Sequence, residues 1–187
     1  MSSNLDLANQ FLIAMPQLDD PNFHHTVTYI CEHSEDGAMG IVVNRPIDLS
    51  LGDVLKHMAL ETQSKKAAES PVYFGGPVQK ERGFVIHSPS GDWDSMHQVN
   101  NQIAVTTSRD ILEAIANDQG PDNTLIALGY AGWGPGQLEE EISQNAWLTV
   151  PFDHRILFQT PSHRRWEAAA GLIGVDIHHM SDEVGHA

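Results

Sequence analysis

The sequence predicts an α+β fold in which helices pack on a mixed sheet. Short runs of alternating apolar residues, typical of strands, are interspersed with amphipathic stretches typical of helices. An early hairpin signal indicates antiparallel pairing, and later strand–helix–strand stretches permit a parallel step. With 187 residues and a hydrophobic content of 41%, the chain has enough apolar material for one sizeable core. We therefore treat residues 1–187 as a single domain.

Strand signals run through the whole chain. Residues 26–31 alternate as a strand does, residues 35–37 supply a turn with a glycine, and residues 39–43 return as the second strand of a hairpin. Pro46 ends that strand, because proline cannot donate to a central ladder. Further strands are predicted at residues 10–14, 72–74, 83–87, 103–106, 124–128 and 147–150.

Helix caps mark two helices in the first two thirds of the chain. Ser50-x-x-Asp53 forms a capping box ahead of an apolar stripe, and Thr107-x-x-Asp110 offers a similar start. The polar residues 61–70 between them are predicted to form a surface loop.

Two more helices are predicted in the last third. One covers residues 137–145, after a glycine-rich segment. The other starts at Thr160-Pro161, with threonine as N-cap and proline at the first helical position. Its inward-facing residues are Trp166, Ala169, Ala170 and Ile173.

Net charge limits the classes of partner. The chain has 10 Lys and Arg against 25 Asp and Glu, a formal charge of −15 with neutral histidines. Nucleic-acid binding depends on cations that neutralise phosphates, and an acidic surface repels anionic lipids at long range. We therefore expect neither nucleic acid nor a membrane as partner.

Cysteine content and the N-terminal sequence indicate the cytoplasm. Cys31 is the only cysteine, so no intrachain disulfide forms, which fits a reducing compartment. Its place in an alternating strand predicts a buried, inert thiol. The first residues lack the basic region of a signal peptide, and no stretch approaches the roughly 20 apolar residues of a membrane helix.

Short motifs spread over almost the whole chain are shared with one known family. They include residues 21–23 (PNF), 32–33 (EH), Gly40 with 44–46 (NRP), 74–78 (FGGPV), 106–110 (TTSRD), 129–138 (GYAGWGPGQL), 145–147 (NAW) and 185–187 (GHA). Together they resemble the YqgE/AlgH family (UPF0301) from about residue 7 to residue 187. The resemblance implies a bacterial cytoplasmic protein with a bent, bifurcated sheet approaching a barrel, flanked by helices, and a proposed role in regulating alginate synthesis. It implies no catalytic residues, because the family has none assigned.

The glycine-rich segment 129–138 is the first candidate site. A strand, a glycine-rich loop and a helix in succession can hold phosphate, but the segment lacks the P-loop Lys-Ser/Thr pair, and three glutamates follow at 139–141. Tyr130 and Trp133 are either presented to a ligand or partner, or packed in the core beside a tight corner. Gly134 and Gly136 belong to the same candidate site.

Arg45 and the Gly75-Gly76 pair form the second candidate. Arg45 stands between a strand end and Pro46, where its guanidinium either binds an anion or pairs with one of the many acids. Paired glycines permit close approach of a ligand or of another strand.

Motifs for catalysis and metal binding are lacking. The sequence has no G-x-S-x-G elbow, and Cys31 and His33 on one strand stand about 6.6 Å apart, too far for a thiol–imidazole bond. The histidines of the pairs 24–25 and 178–179 are adjacent in sequence, and we expect neighbouring side chains on a strand or helix to point apart. We expect no catalytic residue, no metal and no cofactor.

Three hypotheses for function follow. The first is a non-enzymatic binding or interaction protein with an unknown protein partner and an indirect role in transcriptional regulation. The second is a sensor or enzyme for a small metabolite, with Arg45, Gly75-Gly76 and Trp133 converging at one end of the sheet. The third is a direct DNA-binding regulator, which the net charge disfavours.

Overall fold

The computed structural model describes residues 6–178 and shows helices packed on a mixed sheet, confirming the predicted α+β class. Its ten strands are β1 (Gln10–Ala14), β2 (Val27–Ser34), β3 (Gly37–Val42), β4 (Pro46–Ser50), β5 (Pro71–Phe74), β6 (Val78–Ser88), β7 (Met96–Gln98), β8 (Ala104–Thr106), β9 (Asn123–Trp133) and β10 (Trp147–Pro151).

Six α-helices accompany these strands within the same residues. They are α1 (Leu51–His57), α2 (Lys65–Ala68), α3 (Arg109–Ala116), α4 (Gln137–Ser143), α5 (His154–Phe158) and α6 (Arg165–Gly171). A short 3₁₀ turn, Ser162–Arg164, leads into α6. No helix among the described residues is both long and apolar enough to cross a bilayer.

Strand β9 is the axis of the sheet, whose order is β10-β1-β2-β3-β9-β6-β8-β7. Strand β6 runs antiparallel along one edge of β9. The other edge is divided: β5 pairs parallel with residues 126–128, and β3 pairs antiparallel with residues 131–133. The sheet therefore forks along one side of β9, as the family resemblance implied.

The sheet also curls until β7, at one end, faces β2. His97 of β7 donates from Nε2 to the Cys31 carbonyl of β2 at 3.2 Å. Just beyond β7, Asn100 Nδ2 lies 2.6 Å from Asn9 Oδ1, which also accepts the Tyr29 hydroxyl at 2.7 Å. Side chains, and not a backbone ladder, join β7 to this region. The result is a half-barrel, in agreement with the predicted bent sheet.

Strand alternation sorts apolar residues into clusters on opposite faces. On β6, Phe84 and Ile86 enter the largest cluster, which α5 and α6 cover with Ile156, Leu157 and Trp166. Between them, Val85 enters the second cluster, beneath α1, α2 and α3. A third cluster holds Trp133, Trp147 and Leu138 of α4.

Several sequence predictions are wrong in detail. Residues 61–70 contain helix α2, capped by the Ser64 side chain, which accepts from the Ala67 N–H. The N-cap of α3 is Ser108 and not Thr107. Pro46 begins a new strand, β4, where the sequence indicated only the end of the preceding one.

The last predicted helix begins later than its cap signal. Thr160 is not its N-cap, because the 3₁₀ turn intervenes and α6 starts at Arg165. Trp166, Ala169 and Ala170 are buried as predicted, but Ile173 lies beyond the helix and is 41% exposed.

Candidate functional site

The Arg45 side chain donates hydrogen bonds to two backbone carbonyls of the segment between β1 and β2. Its Nη1 donates to the Pro21 carbonyl at 2.6 Å and its Nη2 to the His24 carbonyl at 2.7 Å. Burial lowers the pKa of Arg45, and Asp20 acts in the opposite direction. The side chain therefore ties the segment between β1 and β2 to the end of β3, instead of pairing with an acid as one interpretation held.

The Gly75-Gly76 pair stands at the fork of the sheet. Gly75 donates to the Leu128 carbonyl at 2.8 Å, and its own carbonyl accepts from Val42 at 2.8 Å. A Cβ on Gly75 would lie 2.3 Å from the Gly129 carbonyl oxygen, and one on Gly76 would lie 2.1 Å from the Tyr130 carbonyl carbon. The close approach is made by strand β9, which was one of the two predicted alternatives.

The first half of the glycine-rich segment is strand and not loop. Residues 129–133 belong to β9, and α4 follows after a short turn. Gly134 donates to Gln137 Oε1 at 3.0 Å, and Gly136 is the N-cap of α4 with a φ of +73°.

Trp133 is packed in the third cluster and is 7% exposed. Its indole Nε1 donates to Glu141 Oε1 at 3.1 Å, and the same oxygen accepts the Trp147 indole at 3.0 Å. The core interpretation of Trp133 is therefore confirmed. Glu141, one of the three glutamates that follow the glycine-rich segment, therefore accepts hydrogen bonds from two buried indoles.

Tyr130 lines a cavity inside the curled sheet. The cavity measures about 410 Å³ and is open to solvent. Apolar side chains from five strands form its floor and walls: Met39, Phe84, Met96, Val105 and Tyr130. Tyr130 packs edge-to-face against Phe84, with ring centroids 5.6 Å apart.

Arg82 lies at the mouth of this cavity. Its guanidinium carbon stands 5.6 Å from the centroid of the Phe84 ring. Nη1 donates to Gln79 Oε1 at 3.2 Å and Nη2 to Thr107 Oγ1 at 3.3 Å. A guanidinium has five N–H donors, and these two long bonds to neutral groups engage only part of that capacity.

A bulge in β6 places Arg82 there. Val78 pairs with Tyr130 and Gly83 with Leu128, so residues 79–82 stand opposite Gly129 alone. Gln79 has a φ of +49° and Gly129 a φ of +81°, conformations in which the backbone turns out of the regular ladder. Bulges of this kind redirect side chains and are frequent beside functional sites.

A second groove adjoins the cavity and shares Cys31, Glu32, Met39, His97 and Tyr130 with it. His97 stands between the two, with Nδ1 3.4 Å from Glu32 Oε1. The second groove is also lined by Asp6, Asp36 and Trp133, which do not line the first cavity.

The thiol of Cys31 is 2% exposed, as the sequence predicted, and burial raises its pKa. His33 does not contact it: Nδ1 accepts the Leu7 N–H at 3.1 Å, so Nε2 donates to Glu139 Oε1 at 2.9 Å.

The structure thus brings together only part of the predicted site. Tyr130 lines the cavity, and Trp133 lines the adjoining groove. The backbones of Arg45 and Gly75-Gly76 lie close to each other, since Phe74 next to Gly75 donates to the Arg45 carbonyl at 2.8 Å, but none of these residues lines the cavity. Two further lining residues, Arg82 and Met96, belong to no local sequence motif and were not predicted.

Comparison with known proteins gives a consistent result. A family model described as AlgH-like matches residues 11–178. A UPF0301 protein of Thioalkalivibrio sulfidiphilus is 60% identical over the full length of both chains. Another from Nitrosococcus oceani is 55% identical over 96% of each chain.

Two solved structures share the fold. The solution structure of the AlgH protein from Pseudomonas aeruginosa has a TM-score of 0.81 at 47% identity, covering 97% of this chain and 96% of that one. The crystal structure of protein DIP2367 from Corynebacterium diphtheriae has a TM-score of 0.74 at 21% identity, covering 97% and 94%, and supports the fold alone. The sequence and structural matches together show that the chain belongs to the AlgH-like family.

Proposed function

We propose that this chain is a non-enzymatic binding protein whose small-molecule ligand occupies the half-barrel cavity. The observation that carries the proposal is the cavity itself, an apolar space of about 410 Å³ with Arg82 at its mouth. Small-molecule sites are typically concave, mostly apolar and roughly 300–1,000 Å³, with a few polar groups that fix orientation. The cavity has each of these properties.

The polar groups around the cavity favour binding over catalysis. Nucleophilic catalysis requires a hydroxyl or thiol within hydrogen-bond reach of a base. Among the described residues that line the cavity, none forms such a pair, and the Cys31 thiol donates to the Tyr29 carbonyl at 3.7 Å. Burial raises the pKa of this thiol, which keeps it protonated.

The family resemblance adds a cytoplasmic location and an indirect role in transcriptional regulation to this proposal. A protein with a net charge of −15 is poorly suited to hold DNA itself. A regulatory role would then operate through the ligand and a protein partner.

A thermal-shift screen against metabolites tests the proposal. A ligand at 100 times its Kd adds about 2.7 kcal/mol, or roughly 5–10 °C for a domain of this size. Met96→Trp fills the cavity from an edge strand and should abolish the shift. Met58→Trp, which alters a methionine packed on the second cluster, is the matched control and should retain it. A hit that survives Met96→Trp but disappears in Arg45→Ala would move the site to the place predicted from sequence.

A protein partner is a second candidate, favoured by an exposed apolar pair. Leu172 and Ile173 are 46% and 41% exposed and adjacent in sequence after α6. Crosslinking to a defined partner that is lost in the Leu172→Ser, Ile173→Ser double variant, and kept in Met96→Trp, would support this candidate. Retention of the crosslink in the double variant would contradict it.

A further inference from the structure

We infer that the ligand of the half-barrel cavity is a singly charged organic carboxylate whose carboxylate binds Arg82 and whose apolar body lies on the cavity floor. This inference rests on the proposed function. It adds the chemical class of the ligand and its orientation in the cavity, with the carboxylate at Arg82.

Arg82 has no carboxylate partner among the described residues. The chain carries 25 Asp and Glu against 10 Lys and Arg. Arg109 pairs with Glu113 at 3.1 Å and Arg164 with Glu167 at 3.6 Å, whereas Arg45 and Arg165 donate to backbone carbonyls. None of the ion pairs formed between residues 6 and 178 includes Arg82.

Two neutral side chains hold the Arg82 guanidinium in place. Its contacts with Gln79 and Thr107 orient the guanidinium without neutralising it. Its guanidinium carbon lies 5.6 Å from the centroid of the Phe84 ring, which is part of the apolar cavity lining. A planar guanidinium oriented in this way is suited to bidentate recognition of a carboxylate.

The cavity lining also carries one carboxylate. Glu32 lines the cavity, and its Oε1 lies 3.4 Å from His97 Nδ1. Arg82 supplies the one guanidinium or ammonium group among the described lining residues. A ligand with several negative charges would meet one cation, one carboxylate and the field of an acidic protein, so a single charge fits best.

The remaining lining of the cavity suits the apolar part of such a ligand. Met39, Met96 and Tyr130 present flexible or aromatic surface next to the buried Phe84 and Val105. Thioethers adapt to ligands of different outline, and aromatic rings offer faces for stacking. The lining therefore fits a carboxylate attached to an aromatic or aliphatic group, with the body directed away from Arg82.

A pair of isosteric probes tests the inference: 2-naphthoate, which is a monoanion, and 2-naphthamide, which is neutral. Isothermal titration of the full chain should show 2-naphthoate binding about tenfold or more tightly than 2-naphthamide, as expected for a charge-assisted pair. Arg82→Gln should bring the two affinities close to equality, and Arg82→Lys should restore part of the difference. Arg109→Gln, which removes a charge from the surface of α3, should leave the ratio unchanged.

The outcomes separate this inference from the proposed function. Equal affinity of both probes for the wild-type chain, lost in Met96→Trp, would refute the carboxylate and leave the binding site standing. Tighter binding of 2-naphthyl phosphate than of 2-naphthoate would refute the preference for a single charge. Binding of neither probe to a folded wild-type chain would overturn both ideas. Near-ultraviolet circular dichroism of each variant establishes that the packing around the cavity is retained.

Discussion

Glu141 joins two buried tryptophans, and its removal should have a measurable cost. A single oxygen, Oε1, accepts both the Trp133 and Trp147 indoles, at 3.1 and 3.0 Å. The two indoles are 7% and 3% exposed, so Glu141→Ala leaves two donors with little access to water. Hydrogen bonds to charged groups contribute about 1.5–3 kcal/mol each, and the half-buried position of Glu141 reduces that value. We expect a loss of about 2 kcal/mol, or roughly 4–8 °C in Tm.

Urea unfolding followed by tryptophan fluorescence measures this loss. Glu140→Ala is the matched control, because it makes the same change one residue earlier in α4. The Glu140 carboxylate is exposed and reaches only Gln144, at 3.4 Å. The control should change stability by no more than about 0.5 kcal/mol. If Glu141→Ala were as stable as Glu140→Ala, the indole–carboxylate bonds would not stabilise the third cluster and the reasoning would fail.

Three further predictions concern backbone, thiol and imidazole. Gly76→Ala, at a φ of +155° and with its Cβ 2.1 Å from the Tyr130 carbonyl carbon, should cost more than about 3 kcal/mol or prevent folding. Gly171→Ala, whose Cβ meets no atom within 4 Å, should be neutral or stabilising; equal urea midpoints for the two variants would contradict this. Burial raises the pKa of Cys31, so a thiol reagent should label it only on unfolding, and rapid labelling of the native chain would refute the assignment. Burial lowers the pKa of His87, so below about pH 6.5 the unfolded chain takes up a proton that the folded one does not. Stability should therefore fall as the pH decreases through about 6.5, and less so in His87→Gln; an equal slope in both proteins would show that His87 does not contribute.

The strands and their alternation were accessible from sequence because each depends on local signals. The hairpin of β2 and β3 follows from its turn glycine, and Phe84, Val85 and Ile86 alternate between two clusters as a strand pattern requires. The strand conformation of residues 129–133 was not predicted, because glycines usually mark a loop. Here they let β9 pass close to the Gly75-Gly76 corner while remaining in the sheet.

The cavity could not be predicted for a different reason. Met39, Arg82, Met96 and Val105 lie on different strands, and only the curl of the whole sheet brings them together. The position of Arg82 also depends on the bulge in β6, where Gln79 has a positive φ. Glutamine has no preference for that conformation, so the sequence does not indicate the bulge. Arg45, by contrast, was a candidate because of its place in a motif, yet its side chain donates hydrogen bonds to backbone carbonyls.

The position of β1 has a consequence for the order in which the chain folds during synthesis. Its antiparallel neighbours are β2, close behind it in sequence, and β10, from which it is separated by most of the chain. The Ala14 carbonyl also accepts the indole of Trp166 at 2.9 Å, from α6, later still. A ribosome-bound chain therefore exposes one edge of its first strand until nearly all of the protein has emerged. Long-range pairing of this kind slows folding, and an uncovered edge invites association with other nascent chains.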